Sequence, residues 1–252
     1  MLRSLALIVL LIVAALGLDR LNTVLKASPP VMTVAPGTVL YAAGFDALAE
    51  DWDTFDDGEL SARIVADDPA TAGIRLRAEK SGVAISSSER WYFADFDYSV
   101  MMAAVGGPEN NGYGVVFRHI NPDNTYAFTI SSDGYYSVER TLNGQAVRLS
   151  DWIRSDTVNT GIGAVNTVRV VGVGGSFRFF INSQAVQVCI PDDRNGISTY
   201  SGGKCVGGQM LETLTDSTFP SGKIGVTVST PGEPDVEAAF DNVLVLMPEN
   251  GE

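Results

Sequence analysis

Turn dipeptides recur along the chain between short stretches of alternating apolar and polar residues. Asp133-Gly134, Asn143-Gly144 and Gly174-Gly175 are of the type that closes a two-residue β-hairpin, because the central positions of such turns favour positive φ. A chain punctuated in this way forms many short antiparallel strands. No helical periodicity follows the N-terminal segment, and the 26 glycines suit tight turns. The pattern predicts an all-β domain.

The stretches between the turns predict about a dozen strands. So many strands would leave unpaired sheet edges exposed, and the two packed sheets of a jelly roll limit this exposure. We therefore expect a two-sheet jelly-roll sandwich over residues 38–248, after a proline-containing linker at 28–37. The best-defined predicted strands are 96–105, 112–119, 125–130, 135–140, 166–173, 176–182, 222–230 and 236–247.

Period-two alternation assigns faces to three successive strands between residues 112 and 140. The apolar face carries Tyr113, Val115, Phe117, Tyr126, Phe128, Ile130, Tyr136 and Val138. If these strands form a meander, the opposite face is a shallow polar groove with room made by Gly112, Gly114 and Ala127. Its candidate ligand-binding residues are Arg118, Thr125, Thr129, Tyr135, Ser137 and Glu139. Arg118 would pair with Glu139 or bind a sugar or carboxylate ligand.

The N-terminus combines Arg3 with an unbroken apolar run from Leu5 to Leu18, as export signals do. The run is short for a spanning helix of about 20 residues. However, no good cleavage site follows it, and the next residues continue a helical pattern. We expect residues 1–27 to be an uncleaved signal-anchor transmembrane helix, with a cleaved signal as the alternative. Arg3 on the cytoplasmic side would place the domain in the periplasm or outside the cell.

The charge balance excludes one class of partner. The chain has 30 acidic and 17 basic residues and a formal net charge of −13. Nucleic-acid binding requires Lys and Arg to neutralise phosphates, so we expect no nucleic-acid partner. The acidity is typical of a soluble extracytoplasmic domain.

Cys189 and Cys205 are the two cysteines, and His119 is the single histidine. A zinc site needs three or four such ligands. An even cysteine pair behind an export signal instead predicts a disulfide.

Several longer motifs, taken together, point to a known family. They are W-x-F-x-D-F (91–96), G-P-x-N-N-G-Y-G-V-V-F-R (107–118), N-x-Y-x-F-x-I-x-x-D-G-Y-Y-x-V (124–138), V-R-V-V-G-x-G-x-x-F-R-F-F-I-N (168–182), G-x-I-G-V (222–226) and A-F-D-N-V-x-V (239–245). This set resembles concanavalin A-like (laminin-G/glucanase) jelly-roll modules. It is similar to keto-disaccharide hydrolase-like and family-16 glycosidase-like domains of exported bacterial proteins. The resemblance implies the fold and a bacterial origin, but no single activity, because this fold hosts lectins, glycosidases and spacers.

The chain departs from that family between Val186 and Gly222. Such modules usually cross here by a short loop, whereas residues 189–220 form an insertion that contains both cysteines. A long ordered loop reflects a protein contact, a ligand-binding role or sequence drift. The insertion is therefore a candidate surface for a protein partner. A ligand-binding role and sequence drift are the alternatives.

Signatures of catalysis are missing from the sequence. The E-x-D-x-x-E pattern of retaining glucanases, which places acid and nucleophile about 5 Å apart, does not occur. A Ser-His-Asp triad could use only His119, which lies before the turn-forming Asn121-Pro122-Asp123, and no G-x-S-x-G elbow accompanies it. We expect a structural or surface histidine at a hairpin end, and no enzyme.

Aromatic and acidic residues supply the remaining candidates. Tyr113, Trp91 and Trp152, together with Tyr135, either pack in the core or stack on sugar rings. Asp46 and Asp241 come from the first and last strands and either hold a structural Ca²⁺ or cap loop amides. We expect no other cofactor.

Three functions are compatible with the sequence. The first is a membrane-anchored, extracytoplasmic, non-catalytic binding or scaffold module, such as an accessory subunit of a larger membrane complex. The second is a cell-surface carbohydrate-binding, lectin-like module that uses the polar groove. The third is a glycoside hydrolase or lyase with an unfamiliar site.

Overall fold

Antiparallel strands account for the regular structure of the described chain. The structure is a computed structural model, and it describes residues 34–45, 51–66, 73–193, 196–230 and 234–249. The strands in these residues are β1 (Val39–Ala43), β2 (Phe55–Asp56), β3 (Leu60–Val65), β4 (Gly73–Ala78), β5 (Val83–Ser87), β6 (Phe96–Gly106), β7 (Gly112–Asn121), β8 (Asn124–Ser131), β9 (Tyr135–Leu142), β10 (Gln145–Arg154), β11 (Asn166–Val173), β12 (Ser176–Ile181), β13 (Gln184–Val186), β14 (Val188–Pro191), β15 (Tyr200–Ser201), β16 (Lys204–Cys205), β17 (Gly208–Leu211), β18 (Leu214–Thr215), β19 (Lys223–Ser229) and β20 (Val236–Leu246).

Two large sheets form the expected sandwich. The ten-stranded sheet has the order β13-β12-β11-β6-β20-β4-β3-β2, with β1 added beside β20 and β18 beside β12. The six-stranded sheet has the order β10-β9-β8-β7-β19-β5. The predicted all-β, two-sheet class is confirmed for the described residues, and the first and last strands lie side by side as expected.

Local sequence signals determine much of this topology. All eight predicted strands are present, with ends within two residues of the predicted ones. Asn143 and Gly144 both have positive φ (52° and 77°) and close the two-residue β9–β10 hairpin, as this turn requires. Asp133-Gly134 differs from the prediction, because Ser132 joins it in a three-residue loop between β8 and β9 in which Gly134 alone has positive φ.

The predicted meander is also present: β7 pairs with β8, and β8 pairs with β9. All eight residues of the predicted apolar face belong to the core. The ten-stranded sheet contributes facing aromatic rings, with Phe177 5.1 Å from Phe117 and Phe179 4.9 Å from Phe128 between centroids. Such tilted ring pairs add to the hydrophobic stabilisation of the core.

The prediction that Arg118 faces the polar groove is wrong. Its φ is 48°, and the pairing of β7 with β8 shifts register between Phe117 and Asn121. An irregularity of this kind breaks the two-residue alternation. As a result, Arg118 is only 1% exposed.

The Arg118 guanidinium is held by core groups instead of Glu139. It donates to the carbonyl oxygens of Phe219 at 2.7 Å, Ala94 at 2.5 Å and Gly174 at 2.6 Å. The Phe177 ring lies 5.1 Å from its Cζ, close enough for a cation–π contact. Burial lowers the pKa of Arg118, although a guanidinium stays protonated in proteins. Arg118 is therefore a structural residue.

The insertion is a structured subregion whose strands pair mainly with one another. Strands β14 and β17 form one small sheet, and β15 and β16 form a hairpin. The predicted disulfide between Cys189 and Cys205 is present. The segment at the end of the insertion is held in place by Asp216. This residue accepts hydrogen bonds from the Tyr126 hydroxyl at 2.6 Å and from Arg140 Nη1 at 2.5 Å.

The predicted signal anchor at residues 1–27 lies outside the described residues, and so does most of the linker. Within the described part of the chain, no helix is long and apolar enough to cross a membrane.

Candidate functional site

A groove crosses the outer face of the six-stranded sheet. It consists of a cleft of about 660 Å³ and a second cleft of about 230 Å³, which share Val83, Ala127, Glu139 and Thr227 as lining residues. Strands β5, β7, β8, β9, β10 and β19 all contribute to the groove, so it extends across the whole sheet.

Small and hydroxyl side chains form the floor of the groove, where alternation had predicted them. Thr125 lines the larger cleft, and Thr129 and Ser137 line the smaller one. Thr129 and Ser137 face each other across β8 and β9, with their hydroxyl oxygens 3.1 Å apart. Ala127 lies between them and Thr125 on the same face, and its methyl group leaves depth for a ligand.

Glu139 lies where the two clefts meet, because it lines both of them. Ala127 is its partner in the β8–β9 register, so a short side chain stands on that side of the carboxylate. The described residues offer Glu139 no hydrogen bond or ion pair. A half-buried carboxylate with free acceptor capacity can take hydrogen bonds from ligand hydroxyl groups.

Arg148 and Trp152 form the wall of the groove on β10. Arg148 is opposite Glu139 in the β9–β10 register, and its guanidinium lies 6.0 Å from the Trp152 ring centroid. The indole lies over Gly112, where an added Cβ would be 3.4 Å from Trp152 Cη2. An added Cβ at Gly112 would be only 2.7 Å from Ser229 Oγ, whereas its distance to the indole is an ordinary contact.

Tyr135 is the sixth predicted groove residue, and it lines a neighbouring cleft instead. That cleft also reaches Trp152. Of the other aromatic candidates, Tyr113 is buried in the core, and Trp91 is 51% exposed away from the groove. The structure thus brings together Thr125, Thr129, Ser137 and Glu139, keeps Tyr135 beside them, and removes Arg118.

The sequence reasoning missed Arg148 as a groove residue, although the signal was available. The Asn143-Gly144 turn pairs Leu142 with Gln145, and the same register pairs Glu139 with Arg148. Extending the hairpin across its turn would have placed Arg148 on the polar face. Val83 and Thr227 could not be found in this way, because β5 and β19 join the sheet through contacts distant in sequence.

His119 is a buried strand residue with no place in the groove lining. It is 5% exposed and is opposite Lys223 in the β7–β19 register. Burial, with a smaller contribution from Lys223, lowers the pKa of His119 to about 4. The folded protein therefore holds a neutral imidazole whose Nδ1 is buried without a hydrogen-bond partner.

This pKa predicts a pH-dependent stability. An unfolded histidine takes up its proton near pH 6.5, whereas folded His119 does so only near pH 4, so acidification favours the unfolded chain. Unfolding free energy should fall by about 3 kcal/mol between pH 6.5 and pH 4 from this group alone. Urea unfolding at several pH values should show that His119→Gln removes this part of the slope. An equal slope in both proteins would contradict the assignment.

Of the two predicted calcium-binding residues, only Asp241 lies in the described part of the chain. Asp241 lies in β20, where its Oδ1 accepts a hydrogen bond from the amide of Asn242 at 2.6 Å. Asp46 lies outside the described residues. No group of three or more His, Cys, Asp or Glu side chains that could hold a metal occurs in the described ranges. A calcium site that includes Asp46 stays a prediction.

Comparisons with solved structures show that the sandwich has a fold already known from other β-sandwich proteins. No protein-family model matches the sequence, and no curated protein matches it significantly. Among solved structures, the carbohydrate binding module CBM66 from Bacillus subtilis superposes with a TM-score of 0.55 at 15% identity, covering 78% of this chain and 95% of that one. A B. subtilis protein of unknown function with a galectin-like fold gives 0.55 at 12% identity, covering 85% and 98%.

The third solved structure is a larger protein, of which only part matches this chain. The GH43 protein BlXynB from Bacillus licheniformis gives a TM-score of 0.54 at 13% identity, over 88% of this chain but 41% of that one. Identities this low establish a shared fold and leave function open. The described domain is a β-sandwich of the galectin-like and CBM66 kind, which agrees with the expected jelly roll, while no finer family is assigned.

Proposed function

We propose that this domain binds a glycan in the groove without cleaving it. The observation that carries the proposal is Glu139, a half-buried carboxylate that lines both clefts of the groove and has no hydrogen-bond or ion-pair partner among the described residues. The shared fold with a carbohydrate binding module is consistent with this role, although fold alone does not assign it.

The groove has the chemical groups that a sugar requires. A pyranose or furanose ring presents hydroxyl groups at its edge and C–H groups on its faces. Trp152 offers an aromatic surface to a ring face, and the Glu139 carboxylate and the Arg148 guanidinium offer an acceptor and donors to neighbouring hydroxyl groups. Ala127 leaves room for the ring to approach the sheet.

The proposal of binding without hydrolysis rests on the sequence. The chain lacks the E-x-D-x-x-E pattern of the glucanases that it resembles, and those enzymes need paired carboxylates at a defined separation. A glycosidase would also release product from a bound glycan, which incubation followed by chromatography detects.

The test is a screen of the full-length chain in mild detergent against immobilised linear oligosaccharides: xylo-, cello-, fructo- and uronic-acid-containing series of two to six units. We expect retention on at least one series, with the glycan recovered intact. A well-folded protein that binds none of them would contradict the proposal. Release of a cleaved product would show instead that the domain is an enzyme.

We also propose that residues 1–27 hold the domain at a bacterial membrane, facing away from the cytoplasm. Arg3 and the apolar run after it support this arrangement, and a Cys189–Cys205 disulfide suits an oxidising compartment. Full-length chain should stay in the membrane pellet after alkaline carbonate extraction, and its release would contradict the anchor. The scaffold role with a protein partner at the insertion stays a prediction from the sequence.

A further inference from the structure

The disulfide-bonded insertion forms one wall of a further cleft beside the groove. This cleft has a volume of about 630 Å³ and lies between the β15–β16 hairpin and the adjoining ends of β9 and β10. Trp152 lines both this cleft and the groove, so the two adjoin at this residue. We call it the insertion cleft.

One carboxylate, that of Asp151, positions both walls of the insertion cleft. Its Oδ1 accepts a hydrogen bond from the Trp152 amide at 2.8 Å, and its Oδ2 accepts one from the Tyr200 amide at 2.9 Å. The Asp151 amide in turn donates to the Ser198 hydroxyl at 2.9 Å. These bonds tie the insertion hairpin to β10, so Tyr200 and Trp152 have a fixed relation to each other.

The disulfide fixes the same hairpin from its other strand. Cys205 pairs with Tyr200 across β15 and β16 and is bonded to Cys189. Ser198 also donates to the Cys189 carbonyl oxygen at 2.7 Å. Closing this loop removes freedom from the unfolded chain and holds Tyr200 at the cleft in the folded one. The insertion cleft is therefore a preorganised feature.

The residues that face the insertion cleft suit a sugar unit. Tyr135, Trp152 and Tyr200 supply aromatic rings. The Arg154 guanidinium lies 5.9 Å from the Tyr135 ring and has neither a hydrogen bond nor an ion pair within the described chain. Asp156 lines the same cleft. A free donor, an acceptor and stacking surfaces together match a hydroxylated ring.

We propose that the insertion extends the groove and that the glycan is a linear oligosaccharide bound along its length. This inference rests on the proposed function and adds the class of ligand and a purpose for residues 189–220. The six strands under the groove span about 24 Å at the usual strand spacing, which is room for several sugar units. The insertion cleft takes the unit that passes beyond Trp152.

The experiment measures affinity against ligand length. Dissociation constants for two- to six-unit members of the retained series are determined by calorimetry for the full-length chain, Tyr200→Ala and Arg154→Gln. Arg154 is exposed, so its variant keeps the fold even if Tyr200→Ala loosens the hairpin. Arg90→Gln is the matched control, because Arg90 is exposed and lines none of these clefts.

Both variants should weaken binding of the longest oligosaccharide about tenfold, the value of one aromatic or charged contact. They should leave the shortest bound ligand within about twofold of the unmodified protein. If the unmodified chain gains no affinity with length, or if both variants bind long ligands normally, the extension is wrong while the proposed function stands. If the unmodified chain binds no glycan, the proposed function itself fails.

Discussion

Replacing Arg118 with alanine should lower the unfolding free energy by about 4 kcal/mol, the usual order for removing one partner from a buried charged network. The change removes donors from three carbonyl oxygens, those of Ala94, Phe219 and Gly174. It also leaves a space beside the rings of Phe96 and Phe177. Unsatisfied carbonyl groups and lost packing act in the same direction.

Urea unfolding followed by tryptophan fluorescence measures this effect, and two further variants sharpen it. Arg118→Lys keeps the charge but lacks the planar fork that reaches several acceptors, so it should lose an intermediate amount. Arg90→Ala removes an exposed arginine and should change stability by less than about 0.5 kcal/mol. A loss of less than about 1 kcal/mol for Arg118→Ala would contradict a structural role in the core.

Glycan binding should depend on Trp152 and Glu139 more than on any other pair of groove residues. Trp152→Ala removes the stacking surface, and Glu139→Gln removes the charge of the acceptor that lines both clefts while keeping its shape. Each should weaken binding by about tenfold or more, since a hydrogen bond to a charged group is worth about 1.5–3 kcal/mol. Glu139→Gln should leave the fold unchanged, because Glu139 makes no hydrogen bond or ion pair within the described chain.

Each of these changes has a matched control in the same chain. Trp91 is 51% exposed, and Glu249 is exposed after the last strand. Neither residue lines the groove or the insertion cleft. Trp91→Ala and Glu249→Gln should therefore bind like the unmodified protein. Equal losses in the test variants and their controls would show that the groove does not hold the glycan.

Alternation and turn chemistry explain how much of this site could be predicted from sequence. Thr125, Thr129, Ser137 and Glu139 lie on one face because their strands keep a two-residue period, and the Asn143-Gly144 turn fixes the register that adds Arg148. These are local properties, which short stretches of sequence encode directly.

The wrong or missing predictions concern places where strand alternation and turn signals do not decide the structure. Arg118 follows Phe117 into the core because Arg118 itself has a left-handed backbone conformation, which interrupts the strand. Nothing in the local sequence F-R-H-I-N indicates this conformation. Its burial is compensated by carbonyl oxygens from the chain around Ala94, Gly174 and Phe219. The insertion cleft was also beyond sequence reasoning, because it depends on Asp151 meeting a hairpin 49 residues further along the chain.

The tryptophan indole N–H signals of the full-length chain offer the most direct test of the groove. The chain has three tryptophans: Trp52 is in the core, where its Nε1 donates to the Tyr41 hydroxyl at 2.6 Å, Trp91 is exposed elsewhere, and Trp152 lines the groove. Titration with the retained oligosaccharide, followed by two-dimensional nitrogen–proton NMR, should shift the Trp152 signal and leave those of Trp52 and Trp91 nearly unchanged. A glycan that binds while the Trp152 signal stays still, or that shifts Trp91 instead, would contradict the account.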